Sequence, residues 1–326
     1  MCNLSEVVIR HDDTVETLRD KVAHAAVFGT LQARLTKFNE DVLSPQWREN
    51  GEEEALLGVS LTGIMDNAFM STPSTELAQV LRDLREIVVQ VNCDVAARLG
   101  IRPSAAATTI KPSGTASQLC GTASGIHPRW SPYYMRRVQI DVNDAALAFL
   151  KAEIPEVPVE ISAYNAAHAV LVYPIESPKG ATGFATHVGT DPVKIVSSMD
   201  QLELVRFYNE HWCEHNVSAS IYVTDTPEEW AAVGQWVWKH FDEIAGLSFF
   251  PRDLGNYPQA PFTAVSAEEY KKASEALRRV EERGIDWNRT AIYESKADAL
   301  LDATNRENVG CSGGACEFVR PAVATQ

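Results

Sequence analysis

Two cysteines close to the end of the chain, Cys311 and Cys316, are separated only by the small residues Ser-Gly-Gly-Ala. The glycines allow the chain to bend back, so the two thiols can close a disulfide. A zinc site would usually need two further ligands, and none follows in the sequence. A dithiol on a flexible arm suits thiol–disulfide exchange, for which Cys2, at the head of CNLSEVVIR, is the candidate partner. Spacing alone leaves a chance occurrence of these cysteines equally open.

A second stretch that could do chemistry is residues 108–128, TTIKPSGTASQLCGTASGIHP, which is rich in glycine and hydroxyl side chains. If a helix begins near Ser117, its N-terminus faces this loop, and oriented amides together with the helix dipole make an anion site. The residues that would bind the anion are Ser113, Gly114, Thr115, Ala116 and Ser117. The loop is not a P-loop of the G-x-x-x-x-G-K-[ST] type, because no lysine follows the second glycine. From the residues alone, an ordinary Gly/Ser turn is the simpler interpretation.

Two further groups of polar residues carry weaker signals. Arg136 and Arg137 are adjacent, which suits phosphate recognition but equally suits ion pairs facing solvent. His211 and His215 are spaced to share a metal on a helix, with Cys213 between them on another face. Because no further ligand cluster accompanies them, we predict no metal site.

Four helices are predicted from apolar spacing and capping residues. The first follows Asp13 or Thr14 as N-cap, and the last has Thr226 as N-cap with Pro227 at its first position. The third covers SMDQLELVRFYNEHWCEHN. The second begins at Thr75 and is the longest. Its predicted buried stripe is Leu77, Leu81, Leu84, Val88, Val91, Val95 and Leu99, with Gly100 closing the helix and Cys93 as an inert thiol near the core.

Strands are predicted between these helices. The segments are NLSEVVIR, AAATTI, HAVLVYPI, VSASIYV and GLSFF, the last of which is expected to be buried. Strand, helix and strand in this rhythm predict an α/β protein built from βαβ units, with a mainly parallel sheet or barrel. After about Arg306 the residues become polar and small, which predicts a mobile tail.

Composition restricts the class of protein. With 326 residues, 45% of them hydrophobic, the chain can form one large α/β domain or two smaller ones. No apolar run approaches the roughly 20 residues of a membrane span, and no signal peptide is evident, so we predict a soluble cytoplasmic protein without membrane partners. The net charge of −15 disfavours binding to a nucleic-acid backbone. Six cysteines are too sparse for a disulfide scaffold.

Taken in order, the motifs resemble those of the adenosylcobalamin-dependent (class II) ribonucleotide reductases, of the monomeric ribonucleoside-triphosphate type. The matching stretches are CNLSEVVIR, LGVSLTGIMDN, KPSGTAS with GIHP, SPYYMRRV, CEHNVSASIYV, FDEIAGLSFFP and CSGGACE. The resemblance implies the second half of a ten-stranded α/β barrel over residues 1–305, followed by a flexible redox-active tail over residues 306–326. It further implies reduction of ribonucleoside triphosphates to 2′-deoxyribonucleotides by a cysteine thiyl radical, with adenosylcobalamin as cofactor.

The resemblance also assigns roles to residues. Cys2 is implied to be one thiol of the redox pair at the substrate, and Cys311 and Cys316 would re-reduce its disulfide before a thioredoxin-like protein reduces them. The residues implied to hold the substrate phosphates are Ser113, Gly114, Thr115, Ala116 and Ser117. No metal site is implied.

One departure from the family pattern affects the expected active site. The family's radical cysteine and catalytic glutamate lie in an N-P-C-G-E-like motif shortly before the position of Cys2, where this chain has only Met1. Glu6 belongs to the redox-cysteine segment and does not replace that glutamate. We therefore expect a C-terminal piece that pairs with an N-terminal reductase fragment. The two pieces could be products of a split gene, or they could be separated by an intein, because the first residue after an intein is Cys, Ser or Thr.

Other functions fit parts of the pattern. A non-catalytic nucleotide-binding fragment or reductase remnant would be favoured by loss of Cys2, Cys311 or Cys316, yet all three are present. The R-V-x-G-Y-type site of class III reductases is absent, and class I enzymes differ in the substrate loop and tail. The C-x-x-x-x-C spacing also differs from the C-x-x-C of thioredoxins.

Overall fold

The structure is a computed structural model, and it describes residues 3–39, 41–114, 116–253, 255 and 257–294. In chain order the strands are β1 Leu4–Val8, β2 Gly58–Thr62, β3 Thr108–Thr109, β4 Tyr133–Asp141, β5 Val159–Ile161, β6 His168–Glu176, β7 Ser220–Val223, β8 Ser248–Pro251 and β9 Phe262–Ala264. The α-helices are α1 Val15–Ala33, α2 Gln46–Glu54, α3 Thr75–Leu99, α4 Ala116–Leu119, α5 Ala145–Glu153, α6 Ser198–His211, α7 Pro227–Lys239 and α8 Ala267–Arg283. Short 3-10 helices span Ile64–Asp66, Phe241–Glu243 and Trp287–Arg289.

The chain divides into two compact units. The first contains the residues up to Pro132 together with 177–187 and 191–253. The second contains 133–176, 188–190 and the described residues after Asp253. The predicted boundary between a half-barrel and a tail, at residue 306, lies outside the described residues.

The first unit is built on parallel strand pairs, as the βαβ rhythm predicts. β2 pairs with β1 on one side and β3 on the other, with Glu6 opposite Ser60 and Val8 opposite Thr62. Helices lie between consecutive strands of this sheet, which is the crossover that a parallel pair requires. β7 and β8 form a second parallel pair, and Ile110 bridges to Val217 ahead of β7.

Helix starts in this unit follow the predicted capping residues. The Thr14 side chain accepts a hydrogen bond from the Thr17 N–H at 3.3 Å, and the Thr226 side chain accepts one from the Glu229 N–H at 3.3 Å. Pro227 is the first residue of α7. These local signals depend on neighbouring residues alone, which is why they can be predicted from the sequence.

The buried stripe of α3 departs from prediction in its second half. Leu77, Leu81, Leu84 and Val88 are buried as expected, but Asn92 and Ala96 then replace Val91, Val95 and Leu99 on the buried face. The Asn92 amide donates to the hydroxyls of Thr30 on α1 and Ser104, each at 2.9 Å. An amide whose hydrogen bonds are satisfied can be buried in a core. The sequence prediction left Asn92 out of the buried stripe because its side chain is polar.

The second unit contains an antiparallel sheet in the order β5-β6-β4-β9. β4 pairs with β6 along its whole length, from Tyr133 opposite Glu176 to Asp141 opposite His168. Its core joins α5, β6 and α8, and includes Leu147, Phe149, Ile154, Leu171 and Val280. HAVLVYPI is a strand, as predicted. The expectation of mainly parallel pairing is wrong in this unit, because β4 and β6 run antiparallel although a helix lies between them.

GLSFF also differs from its prediction in burial. β8 is a strand, yet three of its four residues are exposed, so the expected buried strand is wrong. Among the described residues β8 pairs with β7 alone, which leaves its other edge open.

These sheets establish the α/β class. The strands of the described residues form one sheet of three strands, one of four and one of two, and the ten-stranded barrel remains a prediction. Within the same residues, no helix combines the length and apolar character needed to cross a bilayer.

Candidate functional site

The parallel sheet of the first unit has one face covered by helices and one polar face. The Ser5 hydroxyl donates to the Ala25 carbonyl of α1 at 2.8 Å, and Val7 is buried in the core. Because side chains alternate along a strand, Glu6 projects from the opposite face. Ser60, which is buried, is its register partner on β2, so two polar side chains lie side by side on the face opposite α1.

The predicted anion loop is anchored to this polar face. Immediately after β3, the Lys111 N–H donates to the Ser60 hydroxyl at 3.0 Å. The Ser113 N–H donates to the Ser124 hydroxyl at 2.9 Å, which ties the outgoing limb of the loop to its returning limb. We refer to residues 111–125 as the anion loop.

Ser113 is the central residue of the anion loop. Its hydroxyl donates to Glu6 Oε2 at 2.8 Å and accepts the Ser117 N–H at 2.8 Å. The Ser117 hydroxyl donates in turn to the Ser113 carbonyl. The hydroxyls of both predicted anion ligands are therefore engaged inside the protein, with Glu6 as the partner from the sheet.

The remaining predicted ligands lie on the open side of the anion loop. Gly114 and Ala116 are exposed, whereas Ser113 and Ser117 are buried. A Cβ added at Gly114 would meet no atom within 4 Å, so the space above this residue is open. Thr115 lies outside the described residues. The structure thus brings Ser113, Gly114, Ala116 and Ser117 into one turn, with α4 beginning at Ala116 as expected.

Two glycines allow the anion loop to pack against the ends of β1 and β2. Gly63 has φ +85°, and a Cβ there would overlap the Ile9 carbonyl oxygen. Gly125 has φ +56°, and a Cβ there would lie 2.8 Å from the Lys111 carbonyl oxygen. The Gly63 N–H donates to the Ala123 carbonyl at 2.9 Å. Only glycine fits this combination of conformation and close approach.

A buried ion pair fixes the returning limb of the anion loop. Arg129 donates from Nε and Nη2 to the two carboxylate oxygens of Asp66, at 3.0 and 2.8 Å, and these side chains are only 5% and 6% exposed. Asp66 also accepts the Ala123 N–H at 2.7 Å, and Arg129 donates to the Gly121 carbonyl at 2.8 Å. Neither residue was assigned to the site from the sequence. There Asp66 appeared only as part of the LGVSLTGIMDN motif, with no role of its own.

His127 joins the anion loop to β7. Its Nε2 accepts the Ser220 N–H at 2.9 Å, so the proton is on Nδ1, which donates to the Ser124 carbonyl at 2.9 Å. Burial lowers the pKa of His127, which favours this neutral form. Its ring lies near Tyr222, which also packs edge-on against Trp130 with ring centroids 5.5 Å apart.

The charges around the anion loop are of both signs. Burial raises the pKa of Glu6, and the hydrogen bond from Ser113 opposes that rise. Within the described residues Glu6 takes part in no ion pair. The loop carries one lysine, Lys111, and Arg10 Nη1 approaches from the end of β1 to donate to the Cys120 carbonyl at 2.5 Å. Sequence reasoning did not assign Glu6 or Arg10 to this loop.

The other predicted catalytic residues, Cys2, Cys311 and Cys316, lie outside the described residues. The paired arginines belong to the second unit and have partners there. Arg137 lies 3.4 Å from Glu160, and Arg136 lies over the ring of Phe262 at 5.0 Å.

The histidine pair does not share a helical turn. α6 ends at His211, and His215 Nε2 lies 2.9 Å from the Leu57 carbonyl. Cys213, which lies between the two histidines in the sequence, is buried, and this burial raises the pKa of its thiol. Cys93 is partly buried on α3. The described residues contain no cluster of three or more potential metal ligands.

Comparison with known proteins gives one consistent group of relatives, although no protein-family model matches the chain. An adenosylcobalamin-dependent ribonucleoside-triphosphate reductase of Euglena gracilis is 30% identical over 276 residues, covering 82% of this chain and 36% of the relative. The enzyme of the same name from Lacticaseibacillus paracasei is 27% identical, covering 74% of this chain and 30% of the relative. A putative one from Mycobacterium phage D29 is 26% identical, covering 75% and 37%. The chain therefore spans about a third of the length of these relatives.

The fold has a solved counterpart. A crystal structure of a B12-dependent (class II) ribonucleotide reductase matches with a TM-score of 0.66 at 20% identity. The match covers 92% of this chain and 42% of that chain. The similarity extends over almost all of this chain and agrees with its α/β architecture.

Proposed function

From the premise that this chain is homologous to part of the adenosylcobalamin-dependent ribonucleoside-triphosphate reductases, we propose that it forms the C-terminal part of such an enzyme. The proposed reaction converts ribonucleoside triphosphates to 2′-deoxyribonucleotides. A thiyl radical removes the ribose 3′ hydrogen, two thiols supply the electrons, and the 2′ hydroxyl leaves as water. The barrel that would hold this chemistry is the ten-stranded one, of which this chain supplies the second half.

The observation that carries the proposal is the anion loop held over the polar sheet face. In the KPSGTAS motif, Gly114 and Ala116 are exposed, and the space beside Gly114 is open. Lys111 begins the loop, and Arg10 donates to the Cys120 carbonyl within it, so both cations belong to or contact this segment. Backbone amides and cations together suit the phosphates of a nucleotide.

The redox role falls to three cysteines. Cys2 immediately precedes Asn3, whose side-chain amide donates to the carbonyls of Gly29 and Leu56, each at 3.0 Å. These bonds anchor the start of β1, four residues before Val7 reaches the core. Cys311 and Cys316 are proposed to re-reduce the disulfide of Cys2 and to be reduced by a thioredoxin-like protein.

Adenosylcobalamin is the proposed cofactor, and when bound it would supply the radical by breaking its Co–C bond. Among the described residues, buried polar atoms without a hydrogen bond, such as Asn3 Oδ1, His168 Nδ1 and the His187 ring nitrogens, lie on separate segments and outline no corrin cradle. The proposed partner is an N-terminal reductase fragment carrying the radical cysteine and the glutamate.

The proposal is tested by co-expressing the chain with its genomic upstream neighbour and assaying CTP reduction with adenosylcobalamin. We expect a stable complex that turns over with a small dithiol or with thioredoxin. In the Cys311→Ser/Cys316→Ser variant, thioredoxin-driven turnover is lost, whereas turnover with the small dithiol persists because it reaches the active-site disulfide directly. A complex without any turnover would instead indicate a nucleotide-binding remnant.

A further inference from the structure

The contact between Glu6 and Ser113 has no assigned role in the function proposed above. Glu6 Oε2 lies 2.8 Å from the hydroxyl of Ser113, which is 107 positions away in sequence. Within the described residues, Ser113 is the one hydrogen-bond partner of this carboxyl. A carboxylate placed against an anion-binding loop opposes the binding of a negatively charged ligand, since like charges disfavour each other at short range.

The geometry also shows what the contact does to the loop. Because the Ser113 hydroxyl donates to Glu6, it has no proton left to donate toward the open side of the loop. The same oxygen accepts the Ser117 N–H, so the first turn of α4 is fixed by the orientation of that hydroxyl. On the adjacent strand, the Ser60 hydroxyl accepts the Lys111 N–H. Glu6 and Ser60 are paired in register, so the sheet bonds to the loop at two neighbouring positions.

We propose that Glu6 is a positioning residue that controls nucleotide affinity through Ser113, and that nucleotide binding is coupled to uptake of one proton by Glu6. In the free protein the ionised carboxylate orients the Ser113 hydroxyl. When the phosphates bind, the carboxylate takes a proton from solvent, its charge is removed, and the Ser113 hydroxyl becomes available to the ligand. The inference rests on the proposed function, because it requires the anion loop to bind phosphates.

Other ionisable groups belong to the anion loop or contact it. They are Lys111 at the start of the loop, Arg10 at the end of β1, Cys120 after α4, and His127 on the returning limb. Lys111 and Arg10 favour phosphate binding through their charge. Burial lowers the pKa of His127, and both of its ring nitrogens are engaged in hydrogen bonds, so it remains neutral. Among the carboxylates of the described residues, Glu6 is the one that accepts a hydrogen bond from Ser113.

The sign of the pH dependence follows from the charges. Burial already raises the pKa of Glu6, and a bound phosphate raises it further. Between the free and bound pKa values, affinity therefore increases as pH falls. At pH values above both pKa values Glu6 stays ionised, and its charge weakens phosphate binding by a constant factor. The ligand phosphates titrate too, so the comparison must be made against a variant that lacks the Glu6 charge.

The test measures CTP affinity of the full-length chain by calorimetry from pH 5.5 to 8.5, for the native protein and Glu6→Gln. Glutamine removes the charge, and its neutral amide oxygen accepts the Ser113 hydroxyl more weakly than a carboxylate does, so the hydroxyl is released more easily to the ligand. We expect Glu6→Gln to bind CTP about tenfold more tightly at pH 8.5, which corresponds to about one unit of coupled pKa shift. The difference should shrink toward pH 5.5. Glu86→Gln, a loss of the same charge at an exposed position of α3, is the control and should match the native protein.

A second variant separates positioning from a simple field effect. In a Ser113→Ala background, Glu6→Gln should change CTP affinity by less than about threefold, because the hydroxyl that transmits its influence is absent. Equal effects of Glu6→Gln in both backgrounds would overturn the positioning role. Identical pH profiles of the native protein and Glu6→Gln would overturn the inference while leaving nucleotide binding intact. If the native chain binds no CTP at any pH, the proposed function itself fails, and the inference with it.

Discussion

At the scale of single residues, the anion loop depends on polar groups that are buried but fully partnered. Asp66 and Arg129 form a two-point ion pair, and each also bonds to the backbone of the returning limb. A buried charge is stable only while its partner is present, since the remaining charge would be left without solvent or counterion. The pair therefore couples the stability of the first unit to the position of residues 121–123.

Asp66→Asn is predicted to remove this coupling. It leaves the Arg129 guanidinium buried beside a neutral amide, and the free energy of unfolding should fall by about 3–5 kcal/mol. Chemical denaturation of the purified chain measures this change.

Glu210→Gln is the matched control for this prediction, because the Glu210 side chain is 61% exposed beside Arg206. Loss of an exposed ion pair should change the free energy of unfolding by less than about 1 kcal/mol. Equal effects of the two substitutions would show that the buried pair does not hold the loop.

At the scale of elements, the loop can be placed because parallel strands end at one edge of the sheet. β1 and β2 pair in register from Leu4 opposite Gly58 to Val8 opposite Thr62. Beyond this edge, the Gly63 N–H donates to the Ala123 carbonyl, and the Gly125 N–H donates to the Thr62 hydroxyl at 2.8 Å. The position of the anion loop is therefore set by strand ends and by glycines that let two backbones approach closely.

Gly63→Ala is predicted to displace the anion loop. Gly63 has φ +85°. A left-handed backbone costs an L-residue about 1–2 kcal/mol. The new methyl group would also overlap the Ile9 carbonyl oxygen. With strain and overlap combined, we expect the free energy of unfolding to fall by more than about 2 kcal/mol. Thermal and chemical unfolding measure the change.

Gly114→Ala is the control for this prediction, since no atom lies within 4 Å of the added Cβ. Its effect on the free energy of unfolding should stay within about 0.5 kcal/mol. A Gly63→Ala protein as stable as Gly114→Ala would contradict the close packing of the loop on β1.

At the scale of the whole molecule, the described strands leave sheet edges open. β1 pairs with β2 alone and β8 with β7 alone among the described residues. Open edges are sites at which further strands can pair. The matched part of this chain covers only 36% and 30% of two relatives, so the proposed N-terminal fragment has enough length to cover them.

Binding of that fragment is predicted to raise the thermal unfolding midpoint of the chain, because a ligand of the native state alone stabilises it by mass action. The rise should grow with the concentration of the fragment in differential scanning fluorimetry. An unrelated acidic protein of similar size serves as control. A midpoint that does not move at any concentration of the fragment would contradict the proposed partnership.

The sequence by itself determined the features that depend on neighbouring residues. The N-cap Thr226, the C-terminal glycine Gly100 and the βαβ order of the first unit were predictable, and the N-cap of the first helix was limited to Asp13 or Thr14, of which the structure has Thr14. Caps and strand alternation act over a few positions. The motifs of the resemblance were likewise readable in chain order, and the relatives found by comparison bear the name of the same enzyme family.

Only the tertiary structure decided which groups surround the anion loop. Glu6 meets Ser113 across 107 positions, and Arg129 meets Asp66 across 63, because strand register and packing bring them together. The antiparallel pairing of β4 with β6 and the burial of Asn92 are decided in the same way. Long-range contacts depend on the whole packing of the chain, whereas the local pattern of hydrophobic and polar residues is compatible with several pairings.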